Sequence, residues 1–175
     1  MMQPLEANTN SRMMQPLVIS WLGMLGNRYE GEICSAARCL EAVGERWSLL
    51  IIRDALFVGV THFNDFARRL GVARNILSAR LDSFVETGIM ERTNSDGSVY
   101  EHYVLTDKGR DLAPVIVALT KWGDRWHAPN GPPIIYCHTS CGGDVEQYMH
   151  CTSCKSHVEP DELGARHGSG FPTTA

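Results

Sequence analysis

The stretch that decides the fold lies at residues 61–88 and is THFNDFARRLGVARNILSARLDSFVETG. Its apolar residues recur at helical spacing on both sides of Gly71, which predicts a short helix over 61–70 and a longer one over 74–86. The residues expected to face inward are Phe63, Phe66, Ala67, Leu70, either Ile76 or Leu77, Leu81, Phe84 and Val85. A tight glycine turn between two such helices is typical of a helix-turn-helix unit.

The chain that follows predicts a hairpin and then a long helix. Strand-like runs within residues 89–105 flank an Asp-Gly pair at 96–97, which is a strong signal for a hairpin turn. Thr106 is a good N-cap for the next helix, in which we expect a kink at Pro114. The apolar stripe of that helix is expected to contain Leu112, Val115, Ile116, Leu119 and Trp122.

The chain that precedes the stretch predicts two more helices within residues 33–57. Gly44 ends the first, and the second is apolar on most sides, so we expect it at the centre of the domain. The apolar residues of the first helix are Ile33, Ala36, Ala37, Leu40 and Val43. The fold class is therefore mainly α with a small β-hairpin wing, in the element order of a winged helix-turn-helix.

Several ordered motifs resemble one known family, the HxlR-type bacterial transcription regulators. The resemblance spans roughly residues 32–127 and is more specific than any single short motif. The motifs that carry it are Cys34-Ser35-Ala36-Ala37-Arg38, Val43-Gly44-Glu45-Arg46-Trp47, His62-Phe63-Asn64-Asp65-Phe66, Leu77-Ser78-Ala79-Arg80-Leu81, Tyr103-Val104-Leu105-Thr106-Asp107-Lys108-Gly109 and Trp122-Gly123.

This resemblance implies a homodimer that binds operator DNA. Its two recognition helices would enter successive major grooves, and the first and last helices of the domain would form the dimer contacts. We therefore expect a sequence-specific transcriptional regulator that represses by occluding promoters and responds to an inducer, an oxidant or an electrophile. The alternative is a protein-interaction module. An enzyme is not expected, because the sequence has no open-site metal motif, nucleophile elbow or phosphate-binding glycine loop.

The charge pattern allows DNA binding on one face. The 175-residue chain carries a net charge of −4, which argues against nonspecific coating of nucleic acid. The segment 61–81 is nevertheless locally basic, since it contains Arg68, Arg69, Arg74 and Arg80. Such a segment can neutralise phosphates even in an acidic protein.

The predicted base-reading residues are Arg74, Asn75 and Ser78, on the outward face where the second helix of the unit begins. Arg and Asn can each make paired hydrogen bonds to purine edges, and the first turn of a recognition helix is where such contacts form. The alternative interpretation is a solvated helix face. Arg80 is expected to contact a phosphate or to pair with an acid such as Asp82 or Glu86.

The sequence departs from the family pattern at three places. His62 stands where an arginine is usual, so one phosphate contact would be weaker or pH-dependent. Ala73 replaces a Ser or Thr N-cap, which leaves first-turn N–H groups for water or phosphate. The wing tip contains Asp96 and no basic residue, so Arg92 at the base of the wing is the expected contact.

Cys34 matches the position of a cysteine that several family members use to sense oxidants or electrophiles. A place at a helix N-terminus would favour its thiolate, whereas Glu30 and Glu32 would oppose it. The alternative is a small buried residue. Cys39, five residues on, is expected in the core.

The tail pattern His138-x2-Cys141 and Cys151-x2-Cys154 predicts a structural zinc site in a small zinc-ribbon-like appendage. Some HxlR-type proteins resemble this chain in carrying such a tail. Cys137 competes with His138 as the first ligand, and His150 and His157 have poorer spacing. Unrelated or disulfide-linked cysteines remain the alternative.

The expected organisation has four parts: a poorly ordered leader at 1–28, a winged helix-turn-helix domain at 29–128, the zinc-ribbon tail at 134–163 and a mobile C-terminus at 164–175. Without a signal-peptide pattern or an apolar run long enough for a membrane span, we expect a cytoplasmic protein.

Overall fold

The computed structural model describes residues 29, 32–94 and 100–172. The predicted leader at 1–28, Glu30, the wing tip with Asp96 and the last three residues lie outside the described residues.

The two N-terminal helices are α1 (Ser35–Val43) and α2 (Ser48–Phe57). Gly44 ends α1 as predicted, and a Cβ there would lie 2.5 Å from the Leu40 carbonyl oxygen, so a larger residue would not fit. Helix α2 occupies the centre of the domain, as its apolar sequence predicts, and Ile51 and Ile52 are fully buried.

The apolar residues of α1 are only partly buried. Ala37 and Val43 are buried, but Ile33 and Leu40 are exposed, and the prediction of Cys39 as a core residue was wrong because its side is open to solvent. The physical reason is that α1 lies at the edge of the domain. Apolar residues at helical spacing predict the helix there, but they do not show which of its sides packs against the core.

The helix-turn-helix unit consists of α3 (Phe63–Leu70) and α4 (Arg74–Glu86). Gly71 joins them with φ 62°, in the left-handed region that favours glycine. The fully buried side chains of the unit are Phe66, Leu77, Leu81 and Phe84. Of the two alternatives at the start of α4, Leu77 faces the core and Ile76 is exposed.

The wing is an antiparallel pair of strands, β1 (Met90–Thr93) and β2 (His102–Leu105), in the register Met90↔Leu105. The wing is tied to the start of α3, because the Tyr103 N–H donates to the Thr61 carbonyl at 2.8 Å. The helix-turn-helix unit and the wing are therefore joined by a backbone hydrogen bond.

The predicted long last helix is divided in two, α5 (Asp107–Arg110) and α6 (Ala113–His127). Thr106 caps α5 as predicted, by accepting a hydrogen bond from the Gly109 N–H at 3.3 Å. Pro114 has no N–H to donate to the carbonyl four residues earlier, so the helix is interrupted before it and a new helix begins.

The predicted apolar stripe of the last helix is present, but most of it is exposed. Ile116 and Val117 are the buried residues of α6, whereas Val115, Leu119 and Trp122 are exposed. Residues at 115, 119 and 122 fall on one side of the helix, and that side is uncovered in the single chain.

The tail is anchored to the helical domain through Tyr136. Its ring lies 4.5 Å from that of Phe57, and its hydroxyl is 3.1 Å from the Thr120 hydroxyl on α6. Tyr136 also packs with Ile116 and Val117. Further along, a short 3-10 helix spans Pro160–Glu162.

A buried carboxylate joins α2 to the helix-turn-helix unit. Asp54 is 1% exposed. Its Oδ1 accepts hydrogen bonds from Arg53 at 3.0 and 2.7 Å, and its Oδ2 accepts one from Arg69 of α3 at 3.1 Å. Both carboxylate oxygens are thus paired with guanidinium groups, which offsets the cost of burying the charge.

Taken in order, these elements form a winged helix-turn-helix: two supporting helices, a helix–turn–helix unit, a two-stranded wing and a closing helix. Within the described residues, no helix is long and apolar enough to cross a membrane.

We expect Asp54→Asn to lower the free energy of unfolding by about 2 kcal/mol, because an amide oxygen cannot pair with two guanidinium groups and the hydrogen bonds lost are to a charged group. Urea unfolding at neutral pH measures this. The matched control is Asp65→Asn, which removes an exposed ion pair with Arg68 and should cost less than about 1 kcal/mol. Equal losses in the two variants would contradict the role given to Asp54.

Candidate nucleic-acid interface

The first turn of α4 is open to solvent. Arg74, Asn75 and Ser78 are exposed on it, as the sequence predicted. Ala73 is the N-cap residue and makes no side-chain hydrogen bond to the helix. The first-turn N–H groups therefore lack a side-chain cap and can receive an anion.

Arg74 is held in place by α3. Its Nη1 donates to Asn64 Oδ1 at 3.0 Å, and its guanidinium lies 4.8 Å from the centre of the Phe63 ring. Neither contact neutralises the charge, and no carboxylate pairs with Arg74 within the described residues. The guanidinium is thus both oriented and positively charged, which suits paired hydrogen bonds to a base or a phosphate.

Arg92, the predicted DNA contact at the base of the wing, lies between two acids. It forms an ion pair with Asp82 of α4 and lies 3.6 Å from Glu101. A hydrogen bond with Tyr103 is the main cause of the raised pKa of Arg92, and the two carboxylates raise it further. Ser78 is also near Asp82, with its hydroxyl 3.4 Å from the carboxylate.

The structure separates Arg80 from the other candidate contacts. It lies six residues after Arg74, about 240° around the helix, and lines a shallow pocket with Glu45 and Trp47. In the part of the chain that is described, it pairs with neither Asp82 nor Glu86. The predicted ion pair with those acids is therefore absent, and Arg80 does not join the face of Arg74.

The basic character expected of residues 61–81 is reduced by pairing. Arg68 lies 2.5 Å from Asp65, and Arg69 is bound to Asp54. A count of charges along the segment could not reveal the second pair, because Asp54 belongs to α2. Arg74 then carries most of the available positive charge on the outward face of the unit.

His62 occupies the N-cap position of α3 and packs against the wing. Its ring lies 4.0 Å from that of His102, and together with Asn64 and Tyr100 it lines a pocket of about 430 Å³. Asn64, which lines the same pocket, is the residue that accepts the hydrogen bond from Arg74.

Sequence reasoning missed three residues that shape this face: Phe63, Asn64 and Asp82. The first two hold Arg74, and Asp82 binds Arg92. Asn64 and Asp82 each lie ten residues from the arginine they contact, a separation for which no helical or strand periodicity gives a signal.

Cys34 is the N-cap residue of α1 and its side chain is exposed. It lines a pocket with Arg38 and with residues 165–171 of the tail. The prediction that it lies at a helix N-terminus is confirmed. The alternative, a small buried residue, is wrong because the side chain is exposed.

The predicted metal ligands come together in pairs. His138 Nδ1 is 3.3 Å from Cys141 Sγ, and Cys151 hydrogen-bonds to Cys154. The pKa of Cys154 is lowered to about 7, and hydrogen bonds with Ser156 are the main cause. Across the described residues, no three metal-binding side chains are close enough to hold one ion, and no disulfide joins the six cysteines.

The winged helix-turn-helix fold is typical of DNA-binding regulators. The family model for the HxlR-like helix-turn-helix matches residues 42–131. The chain belongs to this family, and its members act as transcriptional regulators rather than as enzymes.

Two groups of similar proteins agree with this assignment. The chain is 44% identical over 150 residues to the uncharacterised HTH-type transcriptional regulators Rv3095 of Mycobacterium tuberculosis and Mb3122 of Mycobacterium bovis, which covers 84% of this chain and 92% of theirs.

Among solved structures, the chain resembles PA1607, a candidate transcription factor, with a TM-score of 0.72, 34% identity and coverage of 79% of this chain and 97% of the other. It also resembles the candidate transcription factor PA1374 from Pseudomonas aeruginosa, with a TM-score of 0.56, 35% identity and coverage of 79% and 95%.

We expect Asp82→Asn to release Arg92 toward DNA. Affinity for any duplex should rise about three- to tenfold at low salt, and the salt dependence should steepen by about one phosphate contact. Fluorescence anisotropy over a salt series measures both quantities.

The matched control is Glu86→Gln, which removes the same charge from the same helix but no contact with Arg92. If both variants gained affinity for DNA equally, the gain would come from the change in net charge. The ion pair between Arg92 and Asp82 would then have no effect of its own on DNA binding.

Proposed function

We propose that this regulator is a homodimeric repressor that recognises a palindromic operator through the first turn of α4. The observation that carries the proposal is Arg74, which is exposed, oriented by Asn64 and Phe63, and free of any carboxylate within the described residues. Asn75 and Ser78 stand beside it and supply the other hydrogen-bonding groups that base edges require.

The uncovered side of α6 supports the dimer. Trp122 is 57% exposed and Trp126 is 62% exposed, with Leu119 and Val115 on the same side. Large apolar side chains in one stripe favour burial against another surface. The family resemblance implies dimer contacts from the first and last helices of the domain, and Leu40 on α1 is exposed as well.

Repression follows from occupancy of the promoter. A dimer bound across successive major grooves excludes other proteins from the same DNA. An effector that changes the separation of the two recognition helices would remove base contacts worth about 1–3 kcal/mol each. Such a loss is enough to release the operator.

The variant Arg74→Ala/Asn75→Ala should lose specific binding while remaining folded and dimeric. Two paired contacts are worth about 2–6 kcal/mol together, so affinity for the selected operator should fall at least ~30-fold. Anisotropy with operator and scrambled duplexes measures specificity, and light scattering measures the dimer.

The control Arg166→Ala/Asn130→Ala removes the same two side-chain types from residues that follow α6 and should keep wild-type affinity. Unchanged specificity in the Arg74→Ala/Asn75→Ala variant would refute this placement of the recognition surface. A weak, salt-insensitive response of the wild type to every duplex would favour the protein-interaction module instead.

We also propose that oxidation of Cys34 weakens operator binding. The thiol is exposed at the N-terminus of α1, where an oxidant in solution can reach it. A change there would act on α1, which the family resemblance implies at the dimer contact.

Peroxide treatment should reduce operator affinity of the wild type at least tenfold, reversibly with a thiol reductant, and Cys34→Ser should abolish the response. Cys39→Ser is the control, since it removes a second exposed thiol from the same helix and should leave the response intact. A Cys34→Ser protein that still responds would contradict a sensing role for this residue.

A further inference from the structure

The tail contains two copies of one short unit, offset by 13 residues. Residues 136–146 are YCHTSCGGDVE and residues 149–159 are MHCTSCKSHVE, which are identical at five of eleven positions. We call these segments the first and second knuckle. The Thr-Ser-Cys core of each is followed by the same Val-Glu pair.

The two knuckles have the same backbone hydrogen bonds. In the first, the Gly142 N–H donates to the His138 carbonyl at 2.7 Å and the His138 N–H donates to the Gly143 carbonyl at 2.8 Å. In the second, the equivalent bonds join Lys155 to Cys151 and Cys151 to Ser156, each at 3.0 Å.

The turn after the last cysteine of each knuckle also has the same backbone conformation. Gly142 has φ 73° and Lys155 has φ 60°. A lysine in the left-handed region is uncommon, so the second knuckle adopts this turn although its sequence lacks the glycine that favours it. The shared turn is therefore a property of the unit and not of one glycine.

Within each knuckle, the turn brings two metal-binding side chains into contact. These are His138 with Cys141, and Cys151 with Cys154. Each knuckle thus presents half of a four-ligand set. One imidazole and three thiols form a donor set that fits a closed tetrahedral zinc site, in which no position is left for water.

We propose that the two knuckles of one chain bind a single structural zinc ion through His138, Cys141, Cys151 and Cys154. Each cysteine that binds gives its thiol proton to solvent. The free energy of binding draws the two pairs together, as it does in small zinc modules that gain their fold from the metal.

The register of the repeat decides between His138 and Cys137. Cys137 occupies the position of His150 in the second knuckle, and both are paired across their hairpins, with Asp144 and His157 respectively. These positions flank the turns and lie outside them. His138 occupies the position of Cys151, so it is the ligand and Cys137 is not.

A single chain is favoured because the knuckles are so close in sequence. Only residues 147–148 separate the two repeat units. A linker this short gives the second pair a high effective concentration at an ion held by the first. Zinc would then fix the tail, whose first knuckle begins at Tyr136 on the surface of α6.

The test is the zinc content of the full chain, purified under reducing conditions and measured by inductively coupled plasma mass spectrometry. The wild type should hold one zinc per chain, and Cys141→Ser and Cys154→Ser should each lose at least nine-tenths of it. The matched control Cys137→Ser should keep its zinc. Zinc-free wild type, or loss of zinc in Cys137→Ser with retention in His138→Ala, would overturn the proposal.

Cobalt substitution and chain mixing test the ligand set and its origin. Cobalt-loaded wild type should show intense tetrahedral bands in visible absorption, which shift when His138→Cys adds a fourth thiolate. A mixture of Cys141→Ser and Cys154→Ser chains should bind no zinc, because neither chain has both complete pairs. Recovery of zinc in the mixture would show a site shared between chains and would contradict the single-chain assignment.

Discussion

The buried carboxylate of Asp54 is the constraint on which the position of the recognition unit depends. It lies at the end of the central helix and receives hydrogen bonds from Arg53 beside it and from Arg69 on α3. Its own carbonyl accepts the N–H groups of Val58 and Val60, where the chain turns toward α3. One residue therefore sets both the path of the connection and the docking of the helix that carries Asn64 and Phe63.

A second set of contacts links α3 to the first turn of α4 and to the wing. Asn64 and Phe63 hold Arg74 on the next helix, and the Thr61 carbonyl binds β2 of the wing. Helix α3 thus orients the recognition helix on one side and the wing on the other. Because the arginine is held before it meets DNA, less side-chain entropy would be lost on binding.

Local sequence patterns predicted the recognition unit well. Glycine at 71 and 88 and the apolar spacing between them were enough to place α4, because a helix packed against a core shows its period directly. In α1 and α6 the same spacing marks helices whose apolar residues face outward in part. The spacing of apolar residues does not show which side of a helix packs within its own chain and which side stays exposed to another chain. The break before Pro114 depended on the missing N–H of proline, which the spacing of apolar residues does not reveal.

The candidate contacts were predicted by type and spacing, but the positive charge that they leave available to a ligand depended on partners elsewhere in the chain. Arg69 is bound by an acid from α2, and Arg92 by acids from α4 and β2. Such pairs form between elements, so charge patterning along one helix could not reveal them. The repeat in the tail differs from these ion pairs because it is visible in the sequence itself. The matching backbone hydrogen bonds then show which residues of the two knuckles are equivalent.

The most direct test of the central claim is selection of genomic DNA fragments by the reduced, folded protein at moderate salt, followed by sequencing of the bound pool. A dimer that reads DNA with the first turn of α4 should enrich a palindrome whose half-sites are about one helical turn apart. A pool with no enriched motif would contradict sequence-specific recognition by this surface.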